Sequence, residues 1–145
     1  MNIHRVCYSS RATSQQPIIL EDLREILSEA RHFNYLHNIT GVLYFADGHF
    51  FQCIEGEKDN LNLLIEKLQK DKRHQGLYFY PDKMINHRNF SDWSMKYVSR
   101  SSELKAYFSD SGLNDFNPSL LNEHQVEEML EILIAADEKT QRSPS

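Results

Sequence analysis

Two short stretches of the chain alternate with the period of a β-strand, and each carries a polar side chain where the alternation places a core residue. The first is Val6-Cys7-Tyr8-Ser9-Ser10-Arg11 and the second Phe50-Phe51-Gln52-Cys53-Ile54-Glu55-Gly56. Along the first, Val6 and Tyr8 share one face while Ile3, Arg5 and Cys7 share the other; along the second, Phe50, Gln52 and Ile54 share a face. A buried phenol and a buried amide both need hydrogen-bond partners, so Tyr8 and Gln52 raise the question of what lies beside them.

The rest of the pattern supplies the surroundings. A strand over Ile3 to Ser9 is followed by a polar connection, Ser9 to Pro17. Leu23, Ile26, Leu27, Ala30 and Phe33 then mark a helix from about Leu20 to Leu36, with Glu21 and Asp22 in its first turn. The stripe runs on into Asn34, which places an amide on the core face. Ile39 to Phe45 is a near-continuous apolar run, the mark of a strand buried on both sides. Asp47-Gly48 predicts a tight hairpin that returns the chain through Phe50 to Glu55. Asp59 or Asn60 is placed to cap a second helix with the stripe Leu61, Leu64, Ile65 and Leu68, ending near Asp71 to His74. Leu77 to Tyr80 predicts a fourth strand, with Pro81 marking an edge or a bend. A turn-rich stretch from Asn86 to Asp92 leads to a fifth strand, Trp93 to Val98, with Trp93, Met95 and Tyr97 on one face.

This order predicts an α+β fold, a ferredoxin-like βαββαββ sheet with two helices on one face. The double-sided run at Ile39 to Phe45 requires cover on the other face as well. That cover is expected from Leu104 to Phe108 and from a C-terminal helix carrying Leu120, Leu121, Val126, Met129, Leu130, Leu133 and Ile134. The expected organisation is a domain over 1–100, a helical extension packed on the sheet over 101–138, and a disordered tail over 139–145.

Composition narrows the function more by exclusion. A net charge of -5 over 145 residues gives no general attraction to nucleic acid or anionic membrane. The basic cluster Lys67, Lys70, Lys72 and Arg73 fits a solvated helix end. There is neither a secretory leader nor an apolar run long enough to span a bilayer, so a cytoplasmic protein is expected. Cys7 and Cys53 fit buried thiols, on the strand faces opposite Tyr8 and Gln52. Phosphate loops, nucleophile elbows, dinucleotide fingerprints and metal-ligand spacings are missing, and neither a metal site nor an enzymatic activity is expected. What remains is a layer between the sheet and the first two helices holding Tyr8, Asn34, Gln52, Trp93 and Met95. A conjugated ring with donors and acceptors on its edge would satisfy Gln52 and Asn34 while burying the apolar stripes, Ile26 included, against its faces.

These residues resemble the BLUF domains, a family that senses blue light using flavin. The matching segments are Cys7-Tyr8-Ser9-Ser10, Asn34, Asn38-Ile39-Thr40-Gly41, Phe50 to Gly56, Asp71-Lys72-Arg73-His74 and Asn89 to Met95, in the family's order over roughly residues 2 to 98. The resemblance implies non-covalent FAD with its ring between the first two helices. It implies that Tyr8 is the photochemical electron and proton donor and that Gln52 relays between Tyr8 and the flavin. Asn34 would hold the pyrimidine part of the ring, with Ile26 and Lys67 among the flavin contacts, and Trp93 and Met95 would be linked to signalling. Light then rearranges the hydrogen bonding of Gln52, and the signal passes to an unidentified downstream protein through the C-terminal helices or the fifth strand. A homo-oligomer is compatible with the apolar C-terminal faces. Three positions depart from the family pattern: Phe33 replaces a polar flavin contact, Asn38 a glycine, and Lys67 an arginine. The alternative is a light-silent ferredoxin-like interaction module with Tyr8 and Gln52 as satisfied core residues. A flavin oxidoreductase would need a site for a hydride donor, which no segment suggests.

Overall fold

In the computed structural model, residues 3–13, 18–98, 102–110, 112 and 117–136 are described. Strands β1 (Ile3–Ala12), β2 (Thr40–Ala46), β3 (His49–Gly56), β4 (His74–Phe79), β5 (Lys83–Ile85) and β6 (Lys96–Val98) form one sheet, ordered β4-β1-β3-β2-β6 with β5 also on β1. β3 lies antiparallel between β1 and β2, and β6 runs parallel to β2 at the far edge. This is the split βαβ arrangement of the ferredoxin-like expectation, with an added edge strand.

The sheet separates two cores, and the alternation along each strand decides which side chain enters which. On one face Val6, Leu43, Phe50, Ile54 and Met95 pack with Leu23 and Leu27 of α1 (Ile18–Leu36) and Leu61 and Leu64 of α2 (Lys58–Lys70). On the other, Cys7, Val42, Tyr44, Phe51, Cys53 and Val98 pack with Leu104 and Phe108 of α3 (Ser102–Asp110) and Val126, Met129, Leu130 and Leu133 of α4 (Glu123–Ala135). β2 serves both cores, as its unbroken apolar run requires. Cys7 and Cys53 are free, buried and in register on the face away from Tyr8 and Gln52. Asn122 caps α4 through a reciprocal bond pair with Gln125, Gln125 N–H to Asn122 Oδ1 at 2.8 Å and Asn122 N–H to Gln125 Oε1 at 2.9 Å.

Several local expectations are corrected. β1 continues through Ser9, Ser10 and Arg11 to Ala12, because β3 pairs with those polar residues on one side and β4 with Ser9, Arg11 and Ala12 on the other, across an irregularity at Ser10. α1 begins at Ile18, and Glu57 rather than Asp59 or Asn60 is the N-cap of α2, without a side-chain cap bond. β4 starts at His74, and the chain passes Pro81 into a further strand, β5, on the same neighbour. The last strand is only Lys96–Val98, so Trp93 and Met95 precede it in a bend. Leu120 and Ile134 are exposed rather than part of the buried stripe. The 139–145 tail lies outside the described residues.

Two turn residues and one strand glycine fix how β2 and β3 pair. Asp47 and Gly48 both have positive φ, 53° and 77°, as the predicted hairpin turn demands. A Cβ at Gly41 would stand 2.2 Å from the Cys53 carbonyl oxygen, so only glycine allows the strands to approach. Asn38, which stands where the family has glycine, adopts φ 54°; asparagine is among the side chains that tolerate the left-handed region.

Candidate flavin site between the first two helices

Register, rather than sequence proximity, makes the central pair. Tyr8 on β1 stands directly opposite Gln52 on β3, and the Tyr8 hydroxyl donates a hydrogen bond to Gln52 Oε1. The other end of the amide, Nε2, faces Met95 Sδ at 3.6 Å, a weak acceptor for a strong donor. Phe79 tilts against the Tyr8 ring at 5.5 Å between centroids. Burial, reinforced by the Asp71 carboxylate, pushes the Tyr8 phenol far above its ordinary range, so Tyr8 is a neutral phenol.

Asn34 lies near the end of α1 on the core-facing stripe and is fully buried. Its Nδ2 donates to the Ser94 carbonyl at 2.7 Å, while Oδ1 is buried without a partner. An orphaned buried amide oxygen costs on the order of 1–3 kcal/mol, which a ligand's N–H can recover.

A cavity of about 460 Å³ opens between α1 and α2, with Ile26, Ala30 and Phe33 on one wall, Leu64, Lys67 and Leu68 on the other, and Gln52 in its lining. That size suits a ring system. A small recess bounded by Tyr8, Ile26, Gln52 and His74 adjoins Leu68 and Asp71, which line the main cavity too. Arg73 ties the surrounding elements together, with Nε and Nη2 on the two Asp71 oxygens at 2.9 and 2.7 Å and Nη2 and Nη1 on Glu29 of α1 at 2.9 and 3.2 Å. Burial pushes the Asp71 carboxyl up, but the hydrogen bonds and charge of Arg73 outweigh it and hold the group below its usual range. Lys67 and Phe33, two of the positions that depart from the family pattern, meet directly. The Lys67 ammonium stands 4.6 Å over the Phe33 ring, whose other neighbour is His37, stacked at 4.0 Å.

The structure thus brings Tyr8, Gln52 and Met95 into one hydrogen-bonded chain and places Ile26, Gln52 and Lys67 around the cavity. Asn34 joins through Ser94, beside Met95. Trp93 is half-buried and lines neither the cavity nor its recess; its backbone carbonyl accepts from Gly41 N–H at 3.3 Å. Sequence reasoning missed the residues that hold this segment. The buried Glu55 carboxylate accepts from Asn89 N–H at 2.7 Å, Phe90 N–H at 3.0 Å and Thr40 Oγ1 at 3.0 Å. Arg31 Nε donates to the Met95 carbonyl at 3.2 Å, and Arg88 bonds Thr40 and the Glu55 and Asn38 carbonyls. A glutamate at the end of a largely apolar strand, next to a glycine, was the available signal for Glu55. His74 appears in the motif but its task does not: Nε2 donates to the Leu68 carbonyl at 2.8 Å, leaving Nδ1 to accept from Ser10 Oγ at 2.7 Å when the ring is neutral.

An orphaned amide oxygen, a half-satisfied glutamine and a mostly apolar cavity together suit a flat heteroaromatic group with polar edges. Comparison with known proteins identifies that class. A family model described as BLUF, sensors of blue-light using FAD, matches residues 3–96. The chain belongs to the BLUF family of FAD-using blue-light photoreceptors. Among solved structures it is similar to BlsA, at 43% identity with TM-scores of 0.90 for the ground state and 0.89 for the photo-activated state, covering 99% of this chain and 92% and 99% of theirs. Among curated proteins it is 30% identical over 95 residues to the photoactivated adenylate cyclase subunit beta of Euglena gracilis, covering 66% of this chain and 11% of that protein. It is 25% identical over 114 residues to the blue light- and temperature-regulated antirepressor BluF of Escherichia coli strain K12, covering 75% of this chain and 28% of that one. The chain therefore spans a small part of the curated relatives it matches. Among the described residues no helix is long and apolar enough to cross a membrane, and no cluster of ligating side chains could hold a metal.

Proposed function

We propose that this chain converts blue light into a rearranged hydrogen-bond pattern at Gln52 and passes it to a separate protein partner. The observation that carries the reading is the buried Tyr8 hydroxyl donating to Gln52 Oε1 beside the α1–α2 cavity. FAD, when bound, absorbs the blue light and accepts an electron. Asn34, Gln52, Ile26 and Lys67 would hold it, Asn34 by its unpaired Oδ1 and Ile26 by its apolar surface.

Tyr8 gives up its electron together with its phenolic proton, because an oxidised tyrosine holds its proton weakly. Gln52 Oε1 already accepts that hydrogen, so it is where the proton goes. Electron and proton then both return to Tyr8, and the Gln52 amide, neutral again, is left turned over with its donor and acceptor ends exchanged. Met95 Sδ then loses the Nε2–H it faces in the dark arrangement.

The reading divides the chain into a light-sensing domain over 1–100 and a C-terminal extension over 101–138. Output through the extension or β6 to a cytoplasmic partner is supported by the packing of α3 and α4 against the sheet. A regulatory role for this chain is supported by its membership of a family of blue-light sensors and by its likeness to the photo-activated state of BlsA. A light-minus-dark absorption spectrum of the FAD-loaded chain tests the proposal. A reversible red shift is the expected result, and an unchanged spectrum sinks it.

A further inference from the structure

Met95 and Lys96 are neighbours that reach opposite sides of the sheet. Met95 is buried in the core with α1 and α2, where Gln52 Nε2 points at its sulfur. Lys96, paired with Val42 at the start of β6, is itself buried, and its ammonium donates to the Ile134 carbonyl at 3.2 Å. Ile134 is in the last turn of α4, where carbonyls have no partner within the helix and where the macrodipole favours a cation. A desolvated ammonium is a costly device for closing a helix end that water could satisfy. The strand carrying it is three residues long and, among the described residues, lies at the sheet edge with β2 as its neighbour, so its displacement breaks few ladder bonds.

We propose that Lys96 is the positioning residue that couples the light-sensing side of the sheet to the C-terminal end of α4. The inference rests on the photochemical reading above and names the contact through which that reading leaves the site. In the dark, Gln52 Nε2–H holds Met95, β6 is fixed against β2, and Lys96 caps α4. When the ends of Gln52 are exchanged, Met95 is released and β6 shifts. Lys96 is then drawn from the Ile134 carbonyl, and the last turn of α4 frays. The output is a change in order at one helix end, produced without any contact between α4 and the flavin.

Hydrogen–deuterium exchange of the full FAD-loaded chain, in darkness and under blue light, tests this over residues 131–136. Absorption spectra are recorded on the same samples, for the wild type and for K96M and K96R. In the wild type, light is expected to speed exchange in this segment by roughly three- to tenfold, the scale of losing a partly buried cap at a helix end. K96R, which keeps the charge, retains the increment. K96M exchanges fast in the dark and loses it, while the red shift persists in all three. A normal red shift with no light-dependent exchange in the wild type overturns the coupling, as does a K96M variant that keeps the full increment. Should K96M fail to fold, the wild-type and K96R measurements decide. Absence of any red shift in the wild type overturns the photoreceptor reading and the coupling with it.

Discussion

The two faces of the sheet are made by the same strands and do opposite things. Toward α3 and α4, Cys7, Phe51, Cys53, Met129 and Leu133 fill the space with apolar side chains. Toward α1 and α2, the neighbouring strand positions are Tyr8 and Gln52, with Asn34 buried on α1; Gln52 lines a cavity of about 460 Å³ and Tyr8 the small recess beside it. The first face gains stability from close packing. The second gives some of that up: an amide oxygen is left unpaired and an amide N–H is spent on a sulfur. A sheet can carry both because a strand's alternation keeps the two populations apart, so the costly polar groups do not intrude on the packed core.

The largest expected effect separates the faces by function. Tyr8→Phe should bind FAD and lose the light-induced red shift completely, read by difference spectroscopy; a variant with the wild-type shift removes Tyr8 from the mechanism. Next comes Leu133→Ala on the packed face, which is fully buried. It should lower unfolding free energy by about 2–5 kcal/mol in urea titrations and leave the shift of the folded fraction unchanged. Asn34→Ala should act the other way round. The empty chain loses only the Nδ2 bond to the Ser94 carbonyl, worth about 1 kcal/mol, while FAD affinity falls by about 2 kcal/mol, roughly thirtyfold in Kd by titration. Equal losses of stability and affinity would show that Asn34 belongs to the packing and not to the site.

The smallest effect concerns how α4 is held. Arg5 on β1 and Lys83 on β5 both bond Glu127, the latter at 2.9 Å. Burial pushes the Glu127 carboxyl up, but its bonds to Arg5 and Lys83 outweigh that and hold it below the ordinary glutamate range. A depressed folded value stabilises above the unfolded value, near pH 4.3. That contribution is lost as pH falls through the folded one. The drop in urea midpoint between neutral and acid pH should therefore be slightly smaller in Glu127→Gln than in the wild type. Because the side chain is 37% exposed, the difference is modest, and parallel curves would remove the clamp from the account of acid stability.

Much of the site was legible because it depends on local period. Tyr8 and Gln52 betray themselves by sitting where alternation demands a core residue, and Asn34 by extending an apolar helical stripe. The Asp47-Gly48 turn follows from which residues accept positive φ. Glu55, Arg31, Arg73 and the Ser94 carbonyl were not legible, because each acts on a segment 34 to 64 residues away, at a distance that no local pattern encodes. The fifth strand was overextended for the same reason. Trp93 to Val98 alternates like a strand, yet only Lys96 to Val98 finds a partner in β2, and the residues before it are claimed by Asn34 and Arg31.

The sequence by itself determined which side chains share a face, because strand and helix periods are properties of neighbouring residues. It also carried enough of the family's motifs to name the flavin. Tertiary structure alone decided that Tyr8 stands opposite Gln52, that Asn34 leaves one oxygen unpaired, and that Lys96 ends on a carbonyl of α4. Those are matters of register and docking, set by how the whole chain closes rather than by any stretch of it.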